Sequence, residues 1–285
     1  MTPVSKAVLI TGCSSGIGRA TAVRLADNGW TVYASARRLA SIEQLAERGC
    51  KLLELDVCDE GSMRAAVERV VGAEGAVGVL VNNAGYSQSG AIEDVPMDQV
   101  RRQFETNVFG LVRLTQLVLP GMRRQGWGKV VNISSMGGRL TFPGGGFYHA
   151  TKHAVEAISD ALRFEVRGFG IDVIVVEPGL IKTSFGDTAV SAIEEATSKA
   201  GPYADFNAAV ARATAGIYDG PFAKLGGGPE AVANKVEKAI SARRPRTRYP
   251  VTPSARLILT QRRLLPDRGW DAVMRTQFPP PRPPG

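Results

Sequence analysis

The chain is poor in the residues that staple or metallate small proteins: it has three cysteines and two histidines in 285 residues. An odd cysteine count argues against a disulfide framework. Cys50 and Cys58 flank the strand-like KLLELDV. At roughly 3.3 Å per residue they stand too far apart to bridge. A reducing, cytoplasmic setting fits this usage. His149 and His153 lie at i and i+4 without a Glu or Cys in a ligand pattern, so no metal site is expected. No apolar run approaches the ~18 residues that suggest a membrane span. The opening MTPVSKAVLITG passes straight into a strand-like run, with none of the marks of a secretory signal. Acidic charge is scarce at one end. Residues 241–285 hold ten Arg and two Asp, which accounts for the whole net charge of +8 and leaves the first 240 residues balanced at 25 basic and 25 acidic groups. A neutral body with a basic tail argues against a nucleic-acid partner, which needs a basic face on the folded domain.

With 44% hydrophobic and 22% charged residues, the chain can bury a large core. Strand-length runs alternate with longer helix-like stretches: KAVLIT, TVYASA, KLLELDV, VGVLVNN, GKVVNIS and IDVIVVEPG. They are continuous and rich in Val, Ile and Leu, as expected of parallel strands covered on both faces. The expected fold is α/β, a single doubly wound parallel sheet with helices on both faces and a C-terminal helical extension. Residues 1–252 are expected to form one domain, with 187–228 as a lid insertion. Residues 253–285 form a basic helical extension ending in the Pro-rich FPPPRPPG.

ITGCSSGIGRA sets Gly12, Gly16 and Gly18 between the first strand and the first helix. Gly12 permits the tight turn, Gly16 lets backbone approach a pyrophosphate, and Gly18 allows close helix packing. The second strand ends YASARR, without the acid that binds the adenosine ribose hydroxyls of NAD. It offers Arg37 and Arg38, with Ser14 and Ser15 in the glycine loop. A guanidinium with hydroxyls suits a 2′-phosphate, so NADP(H) is the expected cofactor.

Further motifs follow in order: N-N-A-G at Asn82–Gly85, Asn107 in a long helical stretch, N-I-S-S at Asn132–Ser135, Y-x-x-x-K at Tyr148–Lys152, and P-G-x-x-x-T at Pro178–Thr183. Any one of them is common by chance. Together they resemble the short-chain dehydrogenase/reductase family, with its Rossmann-type fold, over residues 6 to about 185. LITGCSSGIG and the arginine after the second strand are similar to the branch holding 17β-hydroxysteroid and retinol dehydrogenases.

The resemblance implies a role for each matching residue. Tyr148 is the general acid/base. Lys152 tunes it and binds the nicotinamide ribose. Ser135 positions the substrate carbonyl, and Asn107 anchors a water in a proton relay. Gly12, Ser14, Ser15, Gly16, Ile17, Gly18, Arg37, Asp56, Val57, Asn83, Ala84 and Gly85 hold the cofactor. So do Tyr148, Lys152, Pro178, Gly179, Ile181 and Thr183. The chemistry suits these types. Free tyrosine titrates near ~10, and a cation one helical turn away favours tyrosinate.

The substrate pocket is expected on loops after the fourth, fifth and sixth strands, with Ser135, Met136, Leu140, Phe142, Tyr148, Leu180 and Phe185 as candidates. Their apolar character points to a lipophilic alcohol or carbonyl substrate such as a steroid or retinoid, although each residue taken singly also suits core packing. SARLILTQRRLL sets Leu257, Ile258, Leu264 and Leu265 near one face. This segment suits either weak contact with an anionic membrane surface or packing beside the pocket with solvated arginines. Long helices around 97–125 and 147–167 imply, by resemblance, a homodimer or homotetramer. Two functions stay open at this level: an NADP(H)-dependent dehydrogenase or reductase, and a non-catalytic NADP(H)-sensing protein on the same fold.

Overall fold

In a computed structural model, residues 4–183, 191, 193, 201–216, 224–278 and 281 are described. Seven parallel strands form one sheet in the order β3-β2-β1-β4-β5-β6-β7. They are β1 (Val8–Ile10), β2 (Val32–Ala36), β3 (Lys51–Glu54), β4 (Val79–Asn82), β5 (Gly128–Ile133), β6 (Ile171–Glu177) and β7 (Arg248–Pro250). This is the expected doubly wound Rossmann-type sheet. Its chain order reverses on either side of β1, and a crevice opens there at the carboxyl ends of the strands.

Side chains two apart share a sheet face, so each continuous apolar strand feeds two cores. Val8 and Ile10 join Val79, Val81, Ile174 and Val176 in one core. The helices α1 (Gly16–Asp27) and α7 (Pro229–Ser241) cover it through Ala22, Leu25, Val232 and Val236. Leu9 joins Leu80, Val130 and Val173 in the other. That face is covered by α2 (Glu60–Glu74) and α4 (Gly110–Gln125), through Met63, Val67, Leu114 and Val118.

The helix expected over 97–125 is interrupted. α3 (Met97–Phe104) runs into α4 through a π turn at Glu105–Phe109. One extra residue in that turn re-aims Asn107, and such turns often sit at functional sites. α5 (Gly146–Val166) carries Tyr148 in its first turn. Part of the segment expected as a lid, and Phe185 just before it, lie outside the described residues. Its described helix, α6 (Ala204–Gly216), is tied to the loop after β4. The Asn207 carboxamide accepts from the Ala91 N–H at 2.8 Å and donates to Asp94 at 2.7 Å.

The C-terminal segment forms α8 (Pro253–Leu264) and α9 (Asp267–Gln277). The single apolar face expected for α8 is split. Ile258 and Leu265 pack inward. Leu257 and Leu264, seven residues apart, point out and are 41% and 77% exposed. The helix ends at Leu264 and Leu265 is already extended, so Leu265 leaves the helical face it would otherwise share. Among the described residues no helix is long and apolar enough to cross a membrane.

Candidate active site

The nucleotide end is built from backbone. Gly12 and Gly16 have φ of +72° and +53°, a region open to glycine and costly for other residues. The Thr11 hydroxyl accepts from the N–H groups of Asn83 and Ala84 at 3.0 and 2.9 Å. The Asn83 amide donates back to the Thr11 and Gly12 carbonyls at 2.8 and 3.1 Å. These bonds lock the glycine loop to the end of β4. Ser15, at the head of α1, makes no side-chain cap, and the first turn holds no acid. The helix therefore presents unpaired N–H donors and its positive end, a fit for a pyrophosphate.

The other cofactor candidates line the same crevice. Ser14, Ser15 and Arg37 are exposed beside it, Ile17 is half-buried, and Val57 is buried after β3. The Asp56 carboxylate accepts from the Cys58 N–H at 2.9 Å, which fixes that corner. Pro178, Gly179, Ile181 and Thr183 follow β6. A Cβ on Gly16 would meet the Thr183 methyl at 3.4 Å, so both ends of the crevice close on the same space. Cys13, in the loop, is wholly buried, and burial pushes its thiol up to about 12. It fills space and carries no thiolate.

The catalytic candidates converge at the ends of β4 and β5. Lys152 is buried and its ammonium donates to the Ile133 carbonyl at 2.9 Å. It lies 5.8 Å from the centre of the Tyr148 ring. Burial lowers its pKa to about 8, which leaves it mostly charged at neutral pH. The Ser135 hydroxyl caps the next turn by accepting from the Gly137 N–H at 3.0 Å, and its own proton is left to donate elsewhere. Asn107 is pinned on three sides. Its oxygen accepts from the Tyr86 N–H at 3.1 Å, and its amide donates to the Tyr86 carbonyl at 2.9 Å and to Thr151 at 3.1 Å. Thr151 in turn donates to the Tyr148 carbonyl at 2.7 Å. A Cβ on Gly85 would stand 3.0 Å from the Asn107 oxygen and 3.7 Å from the Lys152 nitrogen, so only glycine keeps this corner open.

The histidines do not act together. Burial lowers His149 to about 4, so its ring is neutral and its Nδ1–H donates to the Gly137 carbonyl at 3.1 Å. His153 is exposed. His149 also packs edge-on between Tyr148 and Phe142, with ring centres 5.6 and 5.7 Å away. Thr11, Thr151 and His149 support the site, and no chemistry of their own marks them in the sequence.

The substrate candidates separate. Met136 and Leu180 are buried with Ala255 under α8. Leu140 is buried against Trp270 and Met274 of α9. Leu140 and Phe142 also line a cavity of about 780 Å³, walled by Ile92, Phe206, Trp270 and Met274 and reaching Gly146 at the start of α5.

This site can be set beside known proteins. The model of the short chain dehydrogenase family matches residues 6–194. The chain belongs to that family. Short-chain dehydrogenases are oxidoreductases acting on CH–OH groups, and this chain is one of them. It is 42% identical over 198 residues to the 3-ketodihydrosphingosine reductase of Bacteroides thetaiotaomicron, covering 70% of this chain and 71% of that one. It is 38% identical over 275 residues to the NADPH-dependent 3-dehydrocapnine reductase of Ornithobacterium rhinotracheale, covering 93% and 94%. A solved short-chain dehydrogenase from Streptomyces avermitilis is 35% identical, with a TM-score of 0.79 over 96% of this chain and 98% of that one.

Proposed function

We propose that this short-chain dehydrogenase uses NADP(H) to interconvert a ketone and a secondary alcohol on a lipophilic substrate, and that it works as a reductase of a 3-keto group on a long aliphatic chain. The observation that carries the reading is the meeting of Ser135, Tyr148, Lys152 and Asn107 beside an open glycine loop. Two relatives named for a 3-keto and a 3-dehydro substrate favour a chain-borne ketone over the steroid and retinoid classes. The cavity beside α5, whose apolar walls are broken by Glu93, Arg139, Arg262 and Asp271, has room for such a chain.

NADPH supplies the hydride when bound, and the protein supplies orientation and proton handling. The Tyr148 hydroxyl gives its proton to the carbonyl oxygen. The Ser135 hydroxyl donates a second hydrogen bond to the charge developing there. The Lys152 ammonium, held on the Ile133 carbonyl, stabilises the tyrosinate left behind. Asn107 holds the chain of polar groups through which the proton is replaced. Residues 1–252 act as the catalytic domain, 187–228 as its lid, and 253–285 as an extension whose helices wall the cavity.

Arg37 selects NADP(H) in this reading, in agreement with one relative's NADPH dependence. Arg37→Ala should raise the NADPH dissociation constant about ten- to a hundredfold, the worth of a charge-assisted pair, and leave NADH unaffected. An unchanged NADPH constant by fluorescence titration would remove the assignment. The substrate reading is tested by NADPH oxidation with a long-chain 3-keto amine, a steroid ketone, retinal and a short ketone. The long-chain ketone should show the highest kcat/KM; turnover of none would overturn the reading.

The exposed Phe109 and Phe164, on the π turn and α5, support a homodimer or homotetramer. Leu257 and Leu264, outward beside the exposed Arg256 and Arg263, support weak contact with an anionic membrane surface.

A further inference from the structure

Behind the catalytic helix, buried side-chain oxygens gather without hydrogen-bond partners among the described residues. They are Ser134 Oγ, Glu156 Oε1 and both carboxylate oxygens of Glu177. Their spacing is visible at Gly138, where a Cβ would stand 2.7 Å from Ser134 Oγ, 2.9 Å from Glu156 Cγ and 3.0 Å from the Lys152 carbonyl oxygen. Native interiors rarely leave such groups unpaired, so a cluster of them calls for a reason.

A single guanidinium holds the cluster. Arg248 Nε lies 3.0 Å from Glu156 Oε2 and 3.5 Å from Glu177 Oε1. One N–H thus faces two carboxylates and donates to the nearer, Glu156. The other end of Arg248 donates to Asp160 at 2.6 Å, and Arg163 donates to the same carboxylate at 2.6 Å. Arg139, half in solvent, comes no closer to Glu177 than 3.6 Å. Lys152 sits one turn before Glu156 on α5. Among the described residues, these groups, from α5, β7 and the turn after β5, are the charges around Glu177. Glu177 itself ends β6, directly before the Pro178–Gly179 loop.

We propose that this cluster is a positioning device for the catalytic lysine: Glu156 is the buried counter-charge that keeps Lys152 an ammonium docked on the Ile133 carbonyl, and Arg248, held between Glu156 and Glu177, fixes Glu156 in that place. Burial works against the Lys152 charge and the Glu156 carboxylate works for it. Two carboxylates sharing one site cannot both ionise freely. Burial first, and Glu156 second, push Glu177 up to about 7. Glu177 therefore gives up its ionisation readily. The arrangement also ties α5 to the loop that carries the nicotinamide-end candidates.

The test is the titration of Lys152 in the full chain, followed by side-chain nitrogen NMR with Lys152→Met assigning the signal. Glu156→Gln should lower the Lys152 midpoint by about one pH unit, since it removes an opposite charge. The alkaline fall in kcat/KM for ketone reduction should move the same way. Glu156→Asp, which keeps the charge, should hold the midpoint near wild type. Should Glu156→Gln not fold, Arg248→Lys decides: it keeps the positive charge but loses the Nε–H that faces both carboxylates, so Glu156 leaves its place and the midpoint should fall. An unmoved midpoint in the folded variant overturns the proposal.

Glu177→Gln gives an independent reading. The folded pKa of Glu177 is raised, so its stabilising contribution is full below about pH 4.5 and lost as pH rises through about 7. The variant should match the wild-type Tm at the acid end and exceed it above pH 7. A Tm that tracks wild type at every pH would remove Glu177 from the device.

Discussion

Tyr148→Phe leaves NADPH bound and takes away turnover. The expected loss in kcat is about 10²- to 10⁴-fold, the usual worth of a positioned general acid. The substitution removes one oxygen and keeps the ring. The phenyl group still packs on His149, and Lys152 still donates to the Ile133 carbonyl rather than to the lost hydroxyl. The glycine loop is held from β4 through Thr11 and Asn83, with no part of Tyr148 in that network. Cofactor affinity should thus stay within a few-fold of wild type while chemistry fails. A variant with kcat within a few-fold of wild type would sink the assignment. Loss of both binding and turnover would instead mean that the ring supports the crevice.

Gly18→Ala is the second large effect, and it acts on structure. A Cβ at Gly18 would overlap the Gly12 carbonyl oxygen and crowd the Asn83 amide. Both are backbone-anchored parts of the nucleotide loop, so neither yields cheaply. Overpacking of this kind costs about 1–3 kcal/mol. The expected result is a Tm lower by several degrees together with much weaker NADPH binding. Gly72→Ala is the matched control. Gly72 lies inside α2 with nothing within 4 Å of its notional Cβ. There alanine should add about 0.5–1 kcal/mol by its helix propensity. Thermal melts of the two variants should move in opposite directions. A Gly18→Ala protein as stable as wild type would contradict the close approach of helix and loop.

Much of the fold was legible from pattern alone. Continuous Val-, Ile- and Leu-rich runs spaced by helical stretches imply parallel strands covered on both faces, and the sheet has that form. The glycine loop was legible because positive φ and close backbone approach leave glycine few substitutes. The tyrosine and lysine were legible as a pair because four residues make one helical turn.

Other features left no such trace. The π turn at Asn107 carries a carboxamide bonded to the Tyr86 backbone and to Thr151 on α5, and no local propensity encodes those partners. Leu257 and Leu264 share a sequence pattern with Ile258 and Leu265, but only the packing of α8 decides that the first pair points out and the second pair in. Glu156, Glu177 and Arg248 read as scattered charges on one helix and two strands.

The sequence by itself determined the layers, the nucleotide loop and the order of the chemical motifs. These rest on short-range rules: side-chain period, backbone freedom and helical spacing. The tertiary structure alone decided which charges share a buried space. It closed Arg248 and Glu177 around Glu156, and it laid α8 and α9 over Met136, Leu140 and Leu180. Contacts between residues about a hundred positions apart depend on how the layers stack, and a burial penalty exists only once water has been excluded.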